Sequence, residues 1–386
     1  MPDAVAECAA VTVPCHGERL AGDVVIVRRI AEESRLLCLV SDGLGHGVKA
    51  NVLAELAAHM AVTYAAAGRD AASSAAAIRR TLPVCRERGL SYATLTIAEV
   101  GPDGTVNLSE YGNPTVIRCH GGAANAIHPD HIETGDGPGR DLRLSTLRLE
   151  LGDRLVLTTD GVTQAGLGLP VGGWGEAGLA RFCETSLADE PTADALATAV
   201  VAAARQRDGG QAADDISCAV IAWRHPRRLL VVTGAPYDDA RDGELARAAL
   251  EFDGRRAICG GTTADIVARE LGFRIANETG PRDPEIPPTA SLEGFDLVTE
   301  GMITLARTLD LLDGRAPMPA RPNGASRLAD LLLGSDLITF QVGTRLNAAH
   351  QDPSLPLELG IRRTLVRRLA QCLRERHAKT VEIAFV

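Results

Sequence analysis

Apolar positions along the chain follow two rhythms, and their order divides the sequence in two. Residues 24–30 and 36–40 are short β-rich runs joined by a polar turn over 31–35. The second run stops at Ser41-Asp42-Gly43, where a loop must begin. From 49 to 67 apolar residues recur at helical spacing, with Gly68 as a stop, and an Ala-rich stretch over 71–85 predicts a second helix. Strand patterns return at 92–100, 105–111 and 115–119, the first two separated by the turn Gly101-Pro102-Asp103-Gly104. Residues 141–151 alternate apolar and polar, as a half-buried strand does. Gly152-Asp153 turns the chain into 154–158, a strand that again ends on an acid, at Asp160-Gly161. Helices are expected near 176–186 and 192–206. A polar loop then leads through Asp214-Asp215 into a strand over 216–223.

Residues 224–228, which include Pro226, read as a linker between a domain over 1–223 and one over 229–386. Beyond them strands at 229–233, 256–258, 297–299, 337–342 and 380–386 interleave with helices at 242–250, up to 271, 303–312, 327–333 and 361–376. This alternation predicts a separate α/β domain.

Composition narrows the function. Of 386 residues, 45% are hydrophobic and 23% charged, an ordinary balance for a chain long enough to build two cores. Only 3% are aromatic, so those cores rest on Ala, Val, Leu and Ile. The net charge of -10 comes with no basic stripe, which argues against a nucleic-acid partner. Nine scattered cysteines without a CxxC pair fit reduced thiols in a cytoplasmic protein. No apolar run reaches the roughly 20 residues that span a bilayer, so no membrane partner is expected. The N-terminus has no basic segment followed by an apolar core, the pattern of a signal peptide.

The candidate chemistry lies in acids at strand ends: Asp23 after Gly22, Asp42 before Gly43, Asp160 before Gly161, and Asp214-Asp215. Any one Asp-Gly pair is an ordinary turn. Several carboxylates brought together by rigid strand ends form a site for hard divalent cations, which prefer oxygen ligands. Such crowding is costly unless cations compensate it.

The ordered set Gly22-Asp23, Ser41-Asp42-Gly43-Leu44-Gly45-His46-Gly47-Val48-Lys49-Ala50, Thr159-Asp160-Gly161-Val162-Thr163 and Asp214-Asp215-Ile216-Ser217 resembles the PPM (PP2C-type) phosphatases. The nearest branch is the bacterial SpoIIE-like one, over about residues 10–223. The resemblance implies an α+β fold, a β-sandwich of two antiparallel sheets flanked by helices. It also implies two Mn²⁺ or Mg²⁺ ions. Asp42 would bridge them and Gly43 would offer its carbonyl. Asp23 would serve one ion and Asp160 and Asp214 the other, with Asp215 as the alternative to Asp214. Asp42 and Asp160, acting through a metal-activated water, would hydrolyse phosphoserine or phosphothreonine. His46 is a candidate general acid, with a loop-shaping role as the alternative. No early Arg matches the phosphate-binding one of the eukaryotic enzymes.

In that branch the helices following the Asp-Gly loop, here 48–85, couple partner binding or dimerisation to assembly of the metal site. Plain core packing is the alternative. The implied substrate is a phosphorylated regulatory protein, of the anti-sigma-factor antagonist type, in a bacterial signalling circuit. A homodimer is a further expectation. Two rival readings stand beside this one: a ligand-sensing scaffold with a non-catalytic phosphatase fold, and a small-molecule enzyme in the C-terminal domain.

For residues 229–386 a regulatory or dimerisation role is expected. Gly260-Gly261-Thr262-Thr263, between a strand and a helix, suits an anion or nucleotide, with a tight turn capped by threonines as the alternative. It is neither a Walker loop nor GxGxxG. Thr299-Glu300-Gly301, Val342-Gly343-Thr344-Arg345, Asn347 and His350-Gln351-Asp352 are also conspicuous, but their spacing matches no metal signature.

Overall fold

Residues 36–40 contain no polar side chain because they are buried on both faces. They form the middle of β3 (Arg35–Ser41), where Leu36, Cys38 and Val40 enter one apolar cluster and Leu37 and Leu39 another. The computed structural model describes residues 3–30, 35–45, 47–69, 73–74, 77–78, 81, 93–133, 141–187, 192–278, 286–345 and 355–386. The chain divides into two compact units, Met1–His225 and Pro226–Val386.

The first unit holds two antiparallel sheets. One has six strands in the order β2 (Val24–Ile30), β3, β4 (Leu95–Val100), β5 (Thr105–Tyr111), β9 (Leu142–Arg148) and β8 (His131–Glu133). The other has five: β1 (Val5–Val13), β11 (Ile216–Arg224), β10 (Arg154–Thr158), β6 (Ile117–His120) and β7 (Ala123–Ala126). Strand alternation sorts the side chains into layers. Leu36, Cys38 and Val40 meet Leu155, Leu157, Ala219 and Ile221 between the sheets. On the outer face of the six-stranded sheet, Leu37, Leu39 and Ile97 pack against Ala54, Ala57, Ala58 and Ala61 of α1 (Val48–Ala66). These alanines let the helix lie close to the strands. On the other outer face, Val156, Cys218 and Val220 meet Leu179 of α3 (Gly175–Ser186) and Leu196 and Val200 of α4 (Ala193–Arg207). This is the helix-flanked β-sandwich that the sequence resemblance implied.

Several boundaries differ from expectation for local reasons. β6 starts at Ile117 because the Thr115 N–H is taken by Glu176 Oε1 (2.7 Å) rather than by a ladder partner. β1, β7 and β8 were not anticipated. β1 pairs with β11 from Val5↔Arg224 to Val13↔Ile216, but its many alanines dilute the apolar alternation. That pairing and an ion pair with Glu7 draw Arg224 into β11. The connection between units is therefore His225–Arg227, shorter than the expected 224–228. Most of the helix expected over 71–85, and Tyr92 at the start of its strand, lie outside the described residues.

In the second unit β12 (Arg228–Thr233), β13 (Arg255–Cys259), β16 (Leu297–Thr299), β17 (Leu337–Val342) and β18 (Thr380–Phe385) form a parallel sheet in the order β16-β13-β12-β17-β18. Two short antiparallel strands, β14 (Ala276–Asn277) and β15 (Ala290–Ser291), extend the β16 edge. Helices α5 (Asp242–Leu250) and α6 (Gly261–Leu271) cover one face. The other face carries α7 (Met302–Leu312), α8 (Gly324–Leu333) and α9 (Leu355–His377). Counted along the chain the parallel strands run 3-2-1-4-5, a doubly wound order. Asn347, His350, Gln351 and Asp352 lie outside the described residues. The eight described cysteines are free thiols, and no helix among the described residues is long and apolar enough to cross a membrane.

Candidate active site

The sandwich brings the sequence-predicted acids to one end through strand pairing. β2 starts just after Asp23 where β3 stops just before Asp42, in the register Val24↔Ser41. In the other sheet β11 starts just after Asp215 where β10 stops, in the register Thr158↔Cys218. Asp160 then opens the short helix α2 (Asp160–Thr163). One hydroxyl ties the two layers. Thr159 Oγ1 donates to Asp23 Oδ2 (2.8 Å) and accepts the N–H of Ser217 (3.1 Å).

The glycines beside these acids are points where two backbones touch. A Cβ on Gly43 would lie 2.2 Å from the Ala50 carbonyl oxygen, and one on Gly161 2.1 Å from that of Asp215. The first turn of α1 thus rests on the Asp42 loop, and the Asp214-Asp215 segment on the Asp160 loop. Gly43→Ala and Gly161→Ala are each expected to destabilise the protein by about 1–3 kcal/mol, because backbone rather than a flexible side chain must give way. Urea denaturation of the two variants measures this.

Asp42 is fixed through its main chain. Its N–H reaches Thr94 Oγ1 (3.3 Å), its carbonyl accepts from the Thr94 N–H (2.8 Å), and Thr94 Oγ1 is hydrogen-bonded to the buried Asn113. Asn113 in turn donates to the Val40 carbonyl (3.1 Å). Asp160 Oδ2 accepts from Gln164 (2.7 Å). Asp214 is exposed, and its Oδ1 accepts the Asp215 N–H (2.8 Å). Asp215 is differently placed. It is 3% exposed, and its two carboxylate oxygens accept the N–H groups of Cys15 and Gly22, each at 2.8 Å.

Electrostatics show that the others act on one another. Burial, then the charges of Asp23, Asp160 and Asp214, and a hydrogen bond with Asp160, push the Asp42 carboxyl up to about 10. Burial pushes Asp23 up to about 8 against the hydrogen bonds from Thr159 and Ser217, with Asp215 and Asp214 adding to the rise. The charged groups acting most strongly on both are all aspartates. The ion-free cluster therefore holds protons at neutral pH. Between the ordinary Asp value of 3.8 and these raised values the folded state binds more protons than the unfolded state. Stability without divalent ions is thus expected to fall as pH rises through that window. Denaturation in chelator at pH 5, 7 and 9 checks the sign.

Among the described residues no three His, Cys, Asp or Glu groups already enclose a single point. The donor set nonetheless fits hard divalent cations, since it consists of crowded carboxylate oxygens whose strongest charged neighbours are other carboxylates. His46 lies outside the described residues. Thr94 and Asn113 were missed because nothing in their spacing marks them. Thr159 and Ser217 sit inside the quoted motifs but carry no charge to draw notice. On its outer side α1 exposes Val48, Val52 and Leu56, one helical face running from the Asp42 loop.

In the second unit, α6 starts at Gly261, with Gly260 at φ 145° before it. Thr262 and Thr263 therefore lie within the first turn rather than capping it. Thr263 Oγ1 accepts the N–H of Gly234 (2.9 Å).

A family model described as Stage II sporulation protein E (SpoIIE) matches residues 32–224, half of the chain. Among solved structures, the phosphatase domain of SpoIIE from Bacillus subtilis is 15% identical, with a TM-score of 0.44, over 58% of this chain and 95% of that one. A longer SpoIIE fragment from the same organism, with part of its regulatory domain, is 18% identical at a TM-score of 0.48, over 56% of this chain and 63% of that one. The RsbU and RsbW domains of a Mycobacterium tuberculosis protein are 20% identical at 0.49, over 64% and 67%. No curated protein sequence matches the chain.

Proposed function

The chain belongs to the SpoIIE family of PP2C-type phosphatases, and from that premise we propose that it hydrolyses phosphoserine or phosphothreonine on a bacterial signalling protein. The observation that supports this reading is the pairing Val24↔Ser41, which sets Asp23 and Asp42 at one end of a sheet, together with the hydrogen bond from Thr159, next to Asp160, to Asp23. Asp42, Asp23, Asp160 and Asp214, with the Gly43 carbonyl, would hold two Mn²⁺ or Mg²⁺ ions. Bound there, the ions would supply a water acidified to near neutrality and positive charge for the phosphoryl oxygens.

The chain's own residues then have defined tasks. Thr94 and Asn113 hold the Asp42 turn in place, and Thr159 holds Asp23. Gln164 orients the Asp160 carboxylate. Asp215, with both oxygens accepting backbone amides, shapes the loop through Gly22, which favours Asp214 over Asp215 as the ligand. The substrate would be a phosphorylated regulatory protein, of the anti-sigma-factor antagonist type. The exposed face of α1 supports docking of that partner, or of a second copy, where it bears on the Asp42 loop.

The test is hydrolysis of a phosphoserine peptide and a panel of phosphoproteins by the full chain, with Mn²⁺, with Mg²⁺ and with chelator. Turnover confined to the metal-containing arms is expected. A chain that binds Mn²⁺ but remains inert across the panel would instead be a non-catalytic scaffold.

A further inference from the structure

We propose that the C-terminal unit binds a small ligand combining a phosphate with sugar hydroxyls, of the nucleotide class, at the carboxyl edge of β12, β13 and β16. The proposal is independent of the phosphatase reading. Strand register puts Thr299, Cys259 and Thr233 in one lateral row, through Cys259↔Thr299 and the one-residue continuation of Val232↔Ile258. The next residues along the three strands are Glu300-Gly301, Gly260-Gly261 and Gly234. In a doubly wound sheet ligands bind beyond the carboxyl ends of the strands, most often at the switch point, which here lies between β12 and β17.

Two helices begin there with their N-terminal N–H groups uncapped by any side chain. They are α6 after Gly260 and α7 after Gly301, each 11 residues long. The two starts are adjacent, since a Cβ on Gly301 would lie 3.4 Å from Gly260 Cα. A Cβ on Gly261 would meet nothing within 4 Å, so a side chain at the start of α6 has room. Paired helix N-termini favour a phosphate.

Buried polar atoms supply an independent sign. The hydroxyls of Thr233, at the end of β12, and of Thr304, in the first turn of α7, have no hydrogen-bond partner, and both residues are 0% exposed. Glu300 Oε2, between the two helix starts, is also buried and unpartnered. Buried polar groups are normally satisfied, and three exceptions at one edge call for a partner. A carboxylate beside a phosphate subsite repels a second anion but accepts from a hydroxyl. The two threonines donate or accept. A phosphate joined to a hydroxyl-bearing sugar meets all of these demands.

The neighbouring crevice, between β12 and β17, is closed. A Cβ on Gly343 would lie 2.1 Å from the Ala235 carbonyl oxygen. Arg345 there is committed to Pro236 O (2.8 Å) and Asp242 (2.6 Å), and Thr344 Oγ1 to Val386 O (2.8 Å). Val342-Gly343-Thr344-Arg345 is thus a structural clamp, and the opening lies on the β13 and β16 side.

Calorimetric titration of the full chain in chelator, with inorganic phosphate, ribose 5-phosphate, AMP and ATP in turn, tests the proposal. At least one sugar-containing probe is expected to bind more tightly than phosphate. Gly261→Asp places a carboxylate in open space at a helix start, where it favours the helix but competes with the anion. It should weaken binding at least tenfold without lowering the melting temperature. Thr233→Val removes an unpaired buried hydroxyl. It should raise the melting temperature of the free protein while weakening the sugar-phosphate probe. Glu300→Gln should weaken ribose 5-phosphate yet leave inorganic phosphate unchanged or tighter. Absence of binding by every sugar-containing probe at millimolar concentration overturns the proposal. Affinities unchanged in Gly261→Asp and Thr233→Val overturn it equally.

Discussion

Asp42→Ala is expected to lower kcat/KM on a phosphoserine peptide by at least about 10³-fold with saturating Mn²⁺, while leaving the metal-free protein as stable as wild type or more so. The activity side follows from position. Asp42 is proposed to serve both ions, and losing it would disperse that site. Several kcal/mol of transition-state charge stabilisation would go with it, and about 4 kcal/mol already corresponds to about 10³ in rate. The stability side follows from the crowding. Without ions, burial and the neighbouring carboxylates force Asp42 to be held protonated well above its ordinary range, a cost that its removal relieves. Parallel kinetics in Mn²⁺ and thermal melts in chelator give both readings. Residual activity within tenfold of wild type would remove Asp42 from the centre of the site.

The second large effect separates two adjacent aspartates. Asp215→Ala strips acceptors from the buried N–H groups of Cys15 and Gly22, and each amide left unpaired costs about 1–3 kcal/mol. A destabilisation of about 2–4 kcal/mol is expected, measured as a fall in the urea midpoint at unchanged slope. Asp214→Ala changes an exposed side chain that accepts one partly buried amide, from Asp215, so the loss of stability should be smaller, about 1 kcal/mol, while metal-dependent turnover falls by about 10²-fold. The reverse pattern, with Asp214→Ala unstable and Asp215→Ala stable but inactive, would exchange their roles.

These two residues also show what the sequence made legible. The acids and their order were visible because charge beside Gly at a strand end is a conspicuous pattern. Which of Asp214 and Asp215 is buried and bound to backbone amides was not. That depends on where the Cys15 and Gly22 amides lie, some 200 residues away in sequence. The strands of the sandwich were readable wherever burial is one-sided or complete, as in β3, β5 and β10. β1 escaped notice because alanine serves equally in strand and helix and blurs the period. The C-terminal alternation identified an α/β unit. The lateral row of Thr233, Cys259 and Thr299 needed the strand order, which local pattern does not encode. The glycines were read as turn formers, whereas Gly43 and Gly161 are required by the close approach of a distant backbone.

Thr159 has a wider consequence. Its one hydroxyl serves Asp23, just before the first strand of the six-stranded sheet, and Ser217 in the five-stranded sheet, so the two acids beside it come together only when the two layers are docked. An ion that needs that cluster binds the native state and not a form with one layer loosened. Divalent cation and cooperative folding are then thermodynamically linked, with about 2.7 kcal/mol added to global stability at a free ion concentration one hundred times the dissociation constant. The cation content of the medium would thus set how much of this protein survives proteolysis, before any substrate is met.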